Sequence, residues 1–425
     1  MNLMQIKTNW IKYYNYLTVI FSLFLLFRTG GSSVVLAIWS LFSLFIFIKY
    51  RQYSFLRKKD VYNIIILSFI PLSYILSVPF VEDKRMIINL VTRSLPLIVF
   101  PLFFVFNQRL FYKETLGRSL ITFSMSNLIL AILPWIKIFS KGYEKLLAEN
   151  SFYNPVFRNI FSEVTGFHLP YLGLFFGFSI YILLIAALKE RVKWIQLFYL
   201  VVSLILVVSI LQFAARMGLL SLIIALIFAV LFKVKQSVKT KLLVGVSVLF
   251  IAIGLAFVEP MKSRIFSYTD GFKMELPHKG QLPEDFNPRY GIYNCVITVI
   301  KDNFWGGIGP TNEQKALNNC YNQYDYESYD DFKHIDYNSH NQYADFLIKY
   351  GIGGLILFLI SLLWGIKNKN IFYFGFITIM VVSLLTENVL FRHFGIFFYA
   401  FFNSLFYAFY MNSKDLNKNE SSGYS

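Results

Sequence analysis

The sequence is poor in charged residues, in cysteine and in histidine. Charged residues make up only 15% of its 425 residues and hydrophobic residues make up 56%, a balance that excludes an ordinary soluble protein. It has two cysteines and five histidines without the Cys/His spacing of a zinc centre, and its acids lack EF-hand spacing. A metal centre is therefore a weak interpretation of any polar cluster. No convincing internal repeat occurs, which weakens a transporter built from inverted repeats without excluding it.

Long apolar runs, separated by short basic connections, fill most of the chain. About twelve of them approach the roughly 20 residues that a bilayer-spanning helix needs. A buried soluble core would explain one or two such runs, but not twelve. The sequence therefore predicts an all-α polytopic membrane protein with about 12 transmembrane helices. The predicted spans are residues 14–27, 32–49, 62–81, 86–106, 115–138, 169–188, 194–211, 217–233, 242–258, 346–365, 371–388 and 394–411.

The net charge of +16 is a topology signal and requires no nucleic-acid partner. Lys and Arg gather in alternate connections, and the other short connections are poor in them. Basic residues in short loops stay in the cytoplasm, so both termini are predicted to be cytoplasmic. The basic connections are residues 49–59, 109–113, 189–193, 233–241, 367–369 and 414–418.

Two long connections fall on the predicted extracytoplasmic side. The first covers residues 140–168, and the second covers residues 259–345. The second contains thirteen acids and eight Lys or Arg, so the positive charge of the chain lies elsewhere. A loop of this length is unusual in a compact protein unless it has a function. The sequence predicts four parts: transmembrane helices 1–9 over residues 1–258, an extracytoplasmic (periplasmic) loop domain over 259–345, transmembrane helices 10–12 over 346–411, and a cytoplasmic tail over 412–425.

The large loop is predicted to contain a helix and both cysteines. Residues 290–304 place Ile292, Val296 and Val299 on one face, the spacing of an amphipathic helix, and the glycine- and proline-rich residues 305–310 end it. Cys295 and Cys320 both lie in this loop. An oxidising compartment favours a disulfide between them. Two unpaired small residues remain the alternative, because spacing alone supplies no geometry.

Residues 321–343 interleave tyrosines with aspartates and one glutamate. One interpretation is a solvated loop with interfacial aromatic residues. The other is a surface on which aromatic faces and carboxylates hold sugar rings. The sequence leaves both open.

His340 ends a polar stretch, Asn338-Ser339-His340-Asn341, immediately before an apolar run. This order puts an ionisable imidazole at a water–membrane boundary, which is a functional hypothesis by default. A histidine whose hydrogen bonds are satisfied locally is the alternative.

Arg216 and Arg289 likewise each have a functional interpretation and an ordinary structural one. Arg216 stands between two apolar runs, where a guanidinium needs an anionic partner or else snorkels to water as an anchor. Arg289 opens the loop helix, and a helix N-terminus with a bidentate guanidinium suits a phosphate. An ordinary surface arginine is the alternative there.

A weaker polar cluster ends the eleventh predicted span, at Glu387, Arg392 and His393. These side chains either line the same cavity as His340 or cap helices, and the second interpretation is favoured. Arg93 lies inside the fourth predicted span and needs a partner that the sequence does not name.

Three segments occur in a recognisable order. Residues 216–220 (RMGLL) place an arginine before small and apolar residues; the helix opened by Arg289 ends in WGGIGP at 305–310; and HNQY at 340–343 leads into YGIGGL at 350–355. This pattern resembles the O-antigen ligase and O-antigen polymerase superfamily of bacterial envelope glycosyltransferases. The resemblance covers roughly residues 160–400. The family more often has Ser-Arg-Gly around the arginine that aligns with Arg216.

The resemblance implies a GT-C-like membrane glycosyltransferase in the bacterial cytoplasmic (inner) membrane, with its active site facing the periplasm. It implies an undecaprenyl-diphosphate-linked glycan as donor, a lipid A–core or glycan hydroxyl as acceptor, contact with membrane lipids, and an inverting reaction without metal or other cofactor. His340 is expected to act as general base, and Arg289 and Arg216 are expected to hold the diphosphate. Weaker, substrate-binding roles are expected for Asn341, Tyr343, His168, Glu387 and Arg392.

The acceptor distinguishes the members of this superfamily. The single large loop before the tenth span favours a ligase, because a polymerase is expected to have two comparable loops with an arginine ten residues before a glycine. The short C-terminal tail offers no added domain of the kind expected for a protein O-glycosyltransferase. Polymerase and protein glycosylation stay open as alternatives. A transporter for a lipid-linked glycan is the alternative from another class, and it predicts charges at mid-membrane depth.

Overall fold

The computed structural model describes residues 3–26, 29–140, 155–233, 288–323 and 336–422, and every regular element in these ranges is helical. The ninth predicted span, most of the first half of the large loop, and residues 324–335 of the tyrosine-rich stretch lie outside the described residues. The helices are α1 Leu3–Phe24, α2 Thr29–Lys49, α3 Lys58–Leu67, α4 Phe69–Ser77, α5 Lys84–Ser94, α6 Pro96–Phe106, α7 Lys113–Ser140, α8 Pro155–Thr165, α9 Leu169–Lys189, α10 Lys193–Gln212, α11 Arg216–Lys233, α12 Pro288–Asn303, α13 Glu313–Tyr321, α14 Gln342–Leu363, α15 Ile371–Ser383 and α16 His393–Ser422.

The prediction of a polytopic helical membrane protein is confirmed. Seven described helical segments, one of them the consecutive pair α5–α6, are long and apolar enough to cross a bilayer, and an eighth span is present if the bent pair α3–α4 counts as one. Two shorter apolar helices, α11 and α15, coincide with the eighth and eleventh predicted spans. The count of twelve spans and the separate loop domain stay predictions.

Several predicted boundaries differ from the helices. The third predicted span is broken at Ser68 with a bend of 75°, because Pro71 has no N–H for the carbonyl of Leu67. Helix α14 begins at Gln342, before the apolar run. Helix α16 continues to Ser422 instead of ending at residue 411, since hydropathy marks where a helix leaves lipid and not where its hydrogen bonds stop.

Helix α9 lies at the centre of the bundle. It is apolar around its whole circumference, which is typical of a helix covered on all sides, and 83% of its apolar segment is buried. Its Gly173 and Gly177 lie against α11, where a Cβ added to Gly218 would be 2.5 Å from the backbone of Gly173. Small residues permit this close backbone approach. The crossing fixes the first turn of α11, with Arg216, beside the first turn of α9.

Polar helix ends meet at one end of the bundle. The first turns of α9, α11, α14 and α16 lie there, together with the segment after α15. At the opposite end of α9 and α15, the ammonium of Lys189 lies 4.7 Å from the ring centroid of Phe372, and the Tyr181 hydroxyl donates to the Ile371 carbonyl at 2.9 Å. A helix the length of α9 is about 30 Å long, so the lysine-rich connections after α9 and before α15 lie a bilayer's thickness from the polar end.

Candidate functional site

Glu387 joins two of the residues predicted to act on substrate. One carboxylate oxygen accepts a hydrogen bond from an Arg289 Nη2 at 3.3 Å, and the other lies 3.5 Å from His340 Nδ1. The side chain of Glu387 is 14% exposed and that of Arg289 is 39% exposed. The favoured interpretation, that Glu387 caps a helix, is therefore wrong: its carboxylate connects the loop helix α12 with the start of α14.

The backbone around His340 explains where its ring points. The Asn338 side chain accepts a hydrogen bond from the His340 N–H at 3.0 Å, and His340 has a φ of 45°. A positive φ is uncommon for a residue with a side chain and clusters at functional sites. This turn lies one residue before the α14 N-cap and directs Nδ1 at Glu387.

The Glu387 carboxylate sets the chemistry available to the imidazole. Burial raises the pKa of Glu387, but the contact and charge of His340, followed by the charges of Arg289 and His168, lower it below its usual value. The group is thus an anion at neutral pH. A carboxylate opposite Nδ1 favours a proton on that nitrogen and leaves Nε2 as an acceptor. The 3.5 Å separation is long for a hydrogen bond, as catalytic contacts often are before substrate binds.

His168 belongs to the same electrostatic neighbourhood. It precedes the first turn of α9 and is exposed as a residue. Desolvation at this edge lowers the pKa of His168, Arg392, His340 and Arg158 lower it further, and Glu387 raises it. Basic side chains from several elements therefore surround Glu387.

Sequence reasoning missed two residues of this neighbourhood. Arg158 on α8 lowers the pKa of His168. Tyr293 lies one turn after Arg289 on α12, and burial raises the pKa of its hydroxyl, which Arg289 lowers and Glu387 raises. The spacing of Tyr293 from Arg289, four residues on one helix face, was the available signal. Nothing in the sequence pointed to Arg158.

Arg216 occupies the first residue of α11, after a turn in which Ala214 has a φ of 51°. The next residue, Met217, lines a small cleft together with Tyr171 and Glu387. The structure thus brings the start of α11 to the same cleft as Glu387.

Two of the weaker predicted residues have structural contacts instead. The Asn341 side-chain oxygen accepts from the backbone N–H groups of Tyr343 and Ala344, at 3.0 and 3.1 Å, and so caps α14. The Tyr343 hydroxyl donates to the Val381 carbonyl of α15 at 2.9 Å. These contacts fix the start of α14, and the substrate-binding roles of Asn341 and Tyr343 stay predictions.

A buried hydrogen-bond network supports the segments that carry His340 and Glu387. Ser339 precedes His340 and Asn388 follows Glu387, and these two neighbours are hydrogen-bonded to each other. The Asn388 amide donates to the Ser339 hydroxyl at 3.1 Å and to the Asp345 carboxylate at 3.2 Å. Asp345 accepts from Lys349 Nζ at 2.7 Å, and Lys349 also lies 2.9 Å from a Glu313 oxygen.

The charges of this network balance. Glu313, Asp345 and Lys349 are all buried. Burial and the neighbouring Asp345 raise the pKa of Glu313 to about 8, and Lys349 opposes that rise. At neutral pH Glu313 is then protonated, and the ammonium of Lys349 balances the single carboxylate of Asp345. Close pairing of opposite charges is the condition under which buried charges are tolerated.

Replacing Lys349 with methionine should lower the free energy of unfolding by about 3–5 kcal/mol, because it leaves a buried carboxylate without its cation. The midpoint of thermal unfolding of the purified protein in detergent measures this. The control is Lys301→Met on the exposed face of α12, where a surface change typically stays within about 0.5 kcal/mol. Equal shifts for the two variants would show that the buried cluster contributes nothing to stability.

Glycines of the WGGIGP motif at 305–310 and of the YGIGGL motif at 350–355 lie against each other. The Ile308 and Gly309 N–H groups donate to the Ile348 and Lys349 carbonyls at 2.9 Å. Gly307 and Gly351 have φ values of 68° and 66°. A Cβ on Gly307 would lie 2.5 Å from the Lys349 backbone. Helix α14 is kinked at Gly351, and the loop after α12 packs against this kink. The close approach requires a glycine in each of the two segments.

Gly351→Ala should destabilise the protein by about 2 kcal/mol or more, through backbone strain and a Cβ placed 2.2 Å from the Trp305 carbonyl oxygen. Gly353→Ala, two residues along the same helix, meets nothing within 4 Å and should be neutral or stabilising by up to about 1 kcal/mol. Thermal unfolding of the two variants side by side measures the difference. If Gly351→Ala unfolds at the wild-type temperature, the docking of the two motifs does not matter for stability.

The two cysteines lie together in the described part of the loop. Cys295 on α12 and Cys320 on α13 form a disulfide, with their Cα atoms 5.6 Å apart. Beside it Ile292, Val296 and Leu317 form a small apolar core. The predicted apolar face of the loop helix is thus the face that packs against α13.

Arg93 and His393 have contacts away from Glu387. The Arg93 guanidinium lies 4.8 Å from the ring centroid of Phe391, a cation–π partner that the sequence did not name. His393 Nε2 lies 2.7 Å from the Ser32 hydroxyl of α2. Arg392 is exposed at the edge of the site.

Residues 201–359 match the family model described as O-antigen ligase, and this match confirms the predicted resemblance to that superfamily. The matched region contains Arg216, Arg289 and His340 and ends before Glu387. No curated protein matches the chain. The family match supports a membrane enzyme of the O-antigen ligase or polymerase kind.

Proposed function

We propose that this protein is an O-antigen ligase-type glycosyltransferase. It moves a glycan from undecaprenyl diphosphate to a sugar hydroxyl of lipid A–core, at the periplasmic face of the bacterial inner membrane, with both termini in the cytoplasm. The arrangement of His340, Glu387 and Arg289 supports this proposal: a base, its orienting carboxylate and a cation converge at the end of the bundle away from the lysine-rich connections.

The reaction needs one bond to form and one to break. The acceptor oxygen attacks the anomeric carbon of the donor glycan, and the bond from that carbon to the diphosphate oxygen breaks. His340 Nε2 takes the hydroxyl proton during the attack, and Glu387 stabilises the imidazolium that results. Attack from the face opposite to the leaving group inverts the anomeric centre.

The leaving group accounts for the arginines. Undecaprenyl diphosphate departs as an anion, so it needs no general acid of the kind that a glycosidase supplies. It needs fixed positive charge at the membrane surface, where preorganised donors act most strongly. Arg289, with 39% of its side chain exposed, is open to such a ligand while Glu387 holds it in place. Arg216 is assigned to the same diphosphate because its helix start borders the same cleft.

A gene deletion in the source bacterium tests the assignment. A ligase defect removes long-chain O-antigen from the surface while lipid-linked polymer accumulates. A product limited to one repeat unit would instead identify a polymerase. Unchanged glycans with impaired export of a lipid-linked solute would remove the enzyme interpretation altogether. Restoration by the wild-type gene, but not by one encoding His340→Ala, ties the phenotype to the site.

A further inference from the structure

A small polar cavity lies between the first halves of α1 and α7. Its volume is about 200 Å³, which is that of about seven waters in the liquid. It therefore has room for a small polar group. None of the residues that line it belongs to the site around Glu387. Those that matter for its chemistry are Lys12, Asn15, Tyr16, Glu114, Thr115 and Arg118.

The cavity lies at the end of the bundle opposite to His340. Helix α2 begins at the polar end, because the Ser32 hydroxyl lies 2.7 Å from His393 Nε2. Its other end is about 30 Å away, and there the ammonium of Lys49 lies 4.7 Å from the ring centroid of Trp10 on α1. Lys12 follows Trp10 by two residues. The cavity is thus at the end with the lysine-rich connections, which the sequence predicts to be cytoplasmic.

Asn15 fixes the distance between the two walls of the cavity. It is 2% exposed, and its side-chain oxygen accepts from the Thr115 hydroxyl at 2.6 Å and from the Tyr112 N–H at 2.9 Å. Its amide donates to the carbonyls of Ile11 at 2.8 Å and Leu110 at 3.0 Å. The carboxamide therefore has all its hydrogen bonds within the protein, and it holds α1 against α7 before any ligand enters.

Three charged side chains line the cavity, and none is paired with another. Glu114 and Arg118 are four residues apart on α7, a spacing that permits an ion pair. Within the part of the chain that the structure describes, neither they nor Lys12 take part in one. The Lys12 ammonium lies 5.7 Å from the ring centroid of Tyr16. The cavity thus offers two cations and one carboxylate at the start of the predicted spans.

We propose that this cavity binds the headgroup of phosphatidylethanolamine from the cytoplasmic leaflet. The phosphodiester anion binds Lys12 and Arg118, and the primary ammonium donates to the Glu114 carboxylate; both are charge-assisted hydrogen bonds. The acyl chains lie beyond Val19, on the apolar surface where Ile20 is 50% exposed.

The same three charges select against the other common headgroups. Phosphatidylglycerol has the phosphate but leaves Glu114 without a cation. The quaternary ammonium of phosphatidylcholine has no N–H to donate, and its three methyl groups enlarge a headgroup that must enter a small cavity. The site is separate from the proposed transfer reaction and does not rest on it.

Native mass spectrometry of the full-length protein in detergent tests the proposal, with phosphatidylethanolamine, phosphatidylcholine and phosphatidylglycerol of identical acyl chains. We expect the wild-type protein to bind phosphatidylethanolamine about tenfold more tightly than either of the others. Lys12→Gln/Arg118→Gln should lose about tenfold or more of that affinity. Glu114→Gln should remove the preference over phosphatidylglycerol, because the cations remain and the partner of the ammonium is gone.

Two controls separate this site from general attraction between lipids and basic residues. Arg191→Gln/Lys193→Gln removes two exposed cations from the connection between α9 and α10 and should leave binding unchanged. Water-soluble glycerophosphoethanolamine, which has the headgroup without acyl chains, should bind far more weakly than the lipid. Equal affinity of the wild-type protein for the three lipids overturns the proposal. An equal loss in the two double variants, an unchanged preference in Glu114→Gln, or equal binding of the soluble headgroup does so too.

Discussion

Glycan transfer by the His340→Ala variant should fall by about 10²–10⁴-fold, the usual contribution of a positioned general base. The reason is geometric: Nδ1 faces the Glu387 carboxylate at 3.5 Å, so Nε2 is the ring nitrogen left to accept a proton. The measurement is transfer in membranes that contain the variant, with a lipid-linked donor supplied in excess. Expression and thermal unfolding of the variant should stay close to those of the wild type, because the His340 side chain is 22% exposed and its contact with Glu387 is long.

Glu387→Gln keeps the size of the side chain and removes its charge. It should lower transfer strongly, since an amide neither stabilises an imidazolium nor fixes the proton on Nδ1. If the two residues act as a pair, the double variant His340→Ala/Glu387→Gln should be no slower than His340→Ala alone. Multiplied losses in the double variant would mean that Glu387 acts independently of His340. Near-normal transfer by His340→Ala would remove the base assignment.

The sequence predicted the class of fold because that information is local. A run of apolar residues determines whether a segment enters the bilayer, whatever its neighbours are. The break at Ser68 was also within reach, because Pro71 falls inside the third predicted span and cannot donate to the helix. The length of α16 could not be predicted from the sequence, because a helix can continue from lipid into water.

The site was predicted in part, and the missing part is not local. Arg289 and His340 were selected by their positions at helix starts. Glu387, which bonds one and faces the other, was assigned to helix capping because nothing in its own neighbourhood names a partner. The available signal was a count of charges: two arginines predicted at the same edge of the membrane require an anion, and an acid at a helix end on that side of the membrane was a candidate.

The support beneath the site escaped prediction for a similar reason. Asp345 and Lys349 are four residues apart on α14, a spacing that indicates an ion pair on any helix. Their burial depends on α13, which brings Glu313 to Lys349 from the large loop. Hydropathy assigns charged residues to water, so it cannot anticipate a buried cluster that pairs its own charges.

Arg289→Ala should reduce transfer by about 10²–10³-fold, as expected for one preorganised electrostatic donor. Arg289→Lys should recover only part of that loss, because a lysine lacks the planar fork that binds a phosphate through two parallel hydrogen bonds. Lys301→Ala, at the far end of the same helix, is the matched control and should transfer at the wild-type rate. Kinetics at saturating acceptor, with the donor varied, measure all three variants.

A loss in Arg289→Ala has two physical explanations, because Arg289 also holds Glu387 at 3.3 Å. The Glu387→Gln background separates them. If Arg289 acts only by positioning the carboxylate, removing it after Glu387 has been neutralised should change nothing further. If its guanidinium binds the departing diphosphate, the double variant should lose about another 10²-fold. We expect the second result, since the exposed part of Arg289 is open to a ligand while its hydrogen bond to Glu387 remains in place.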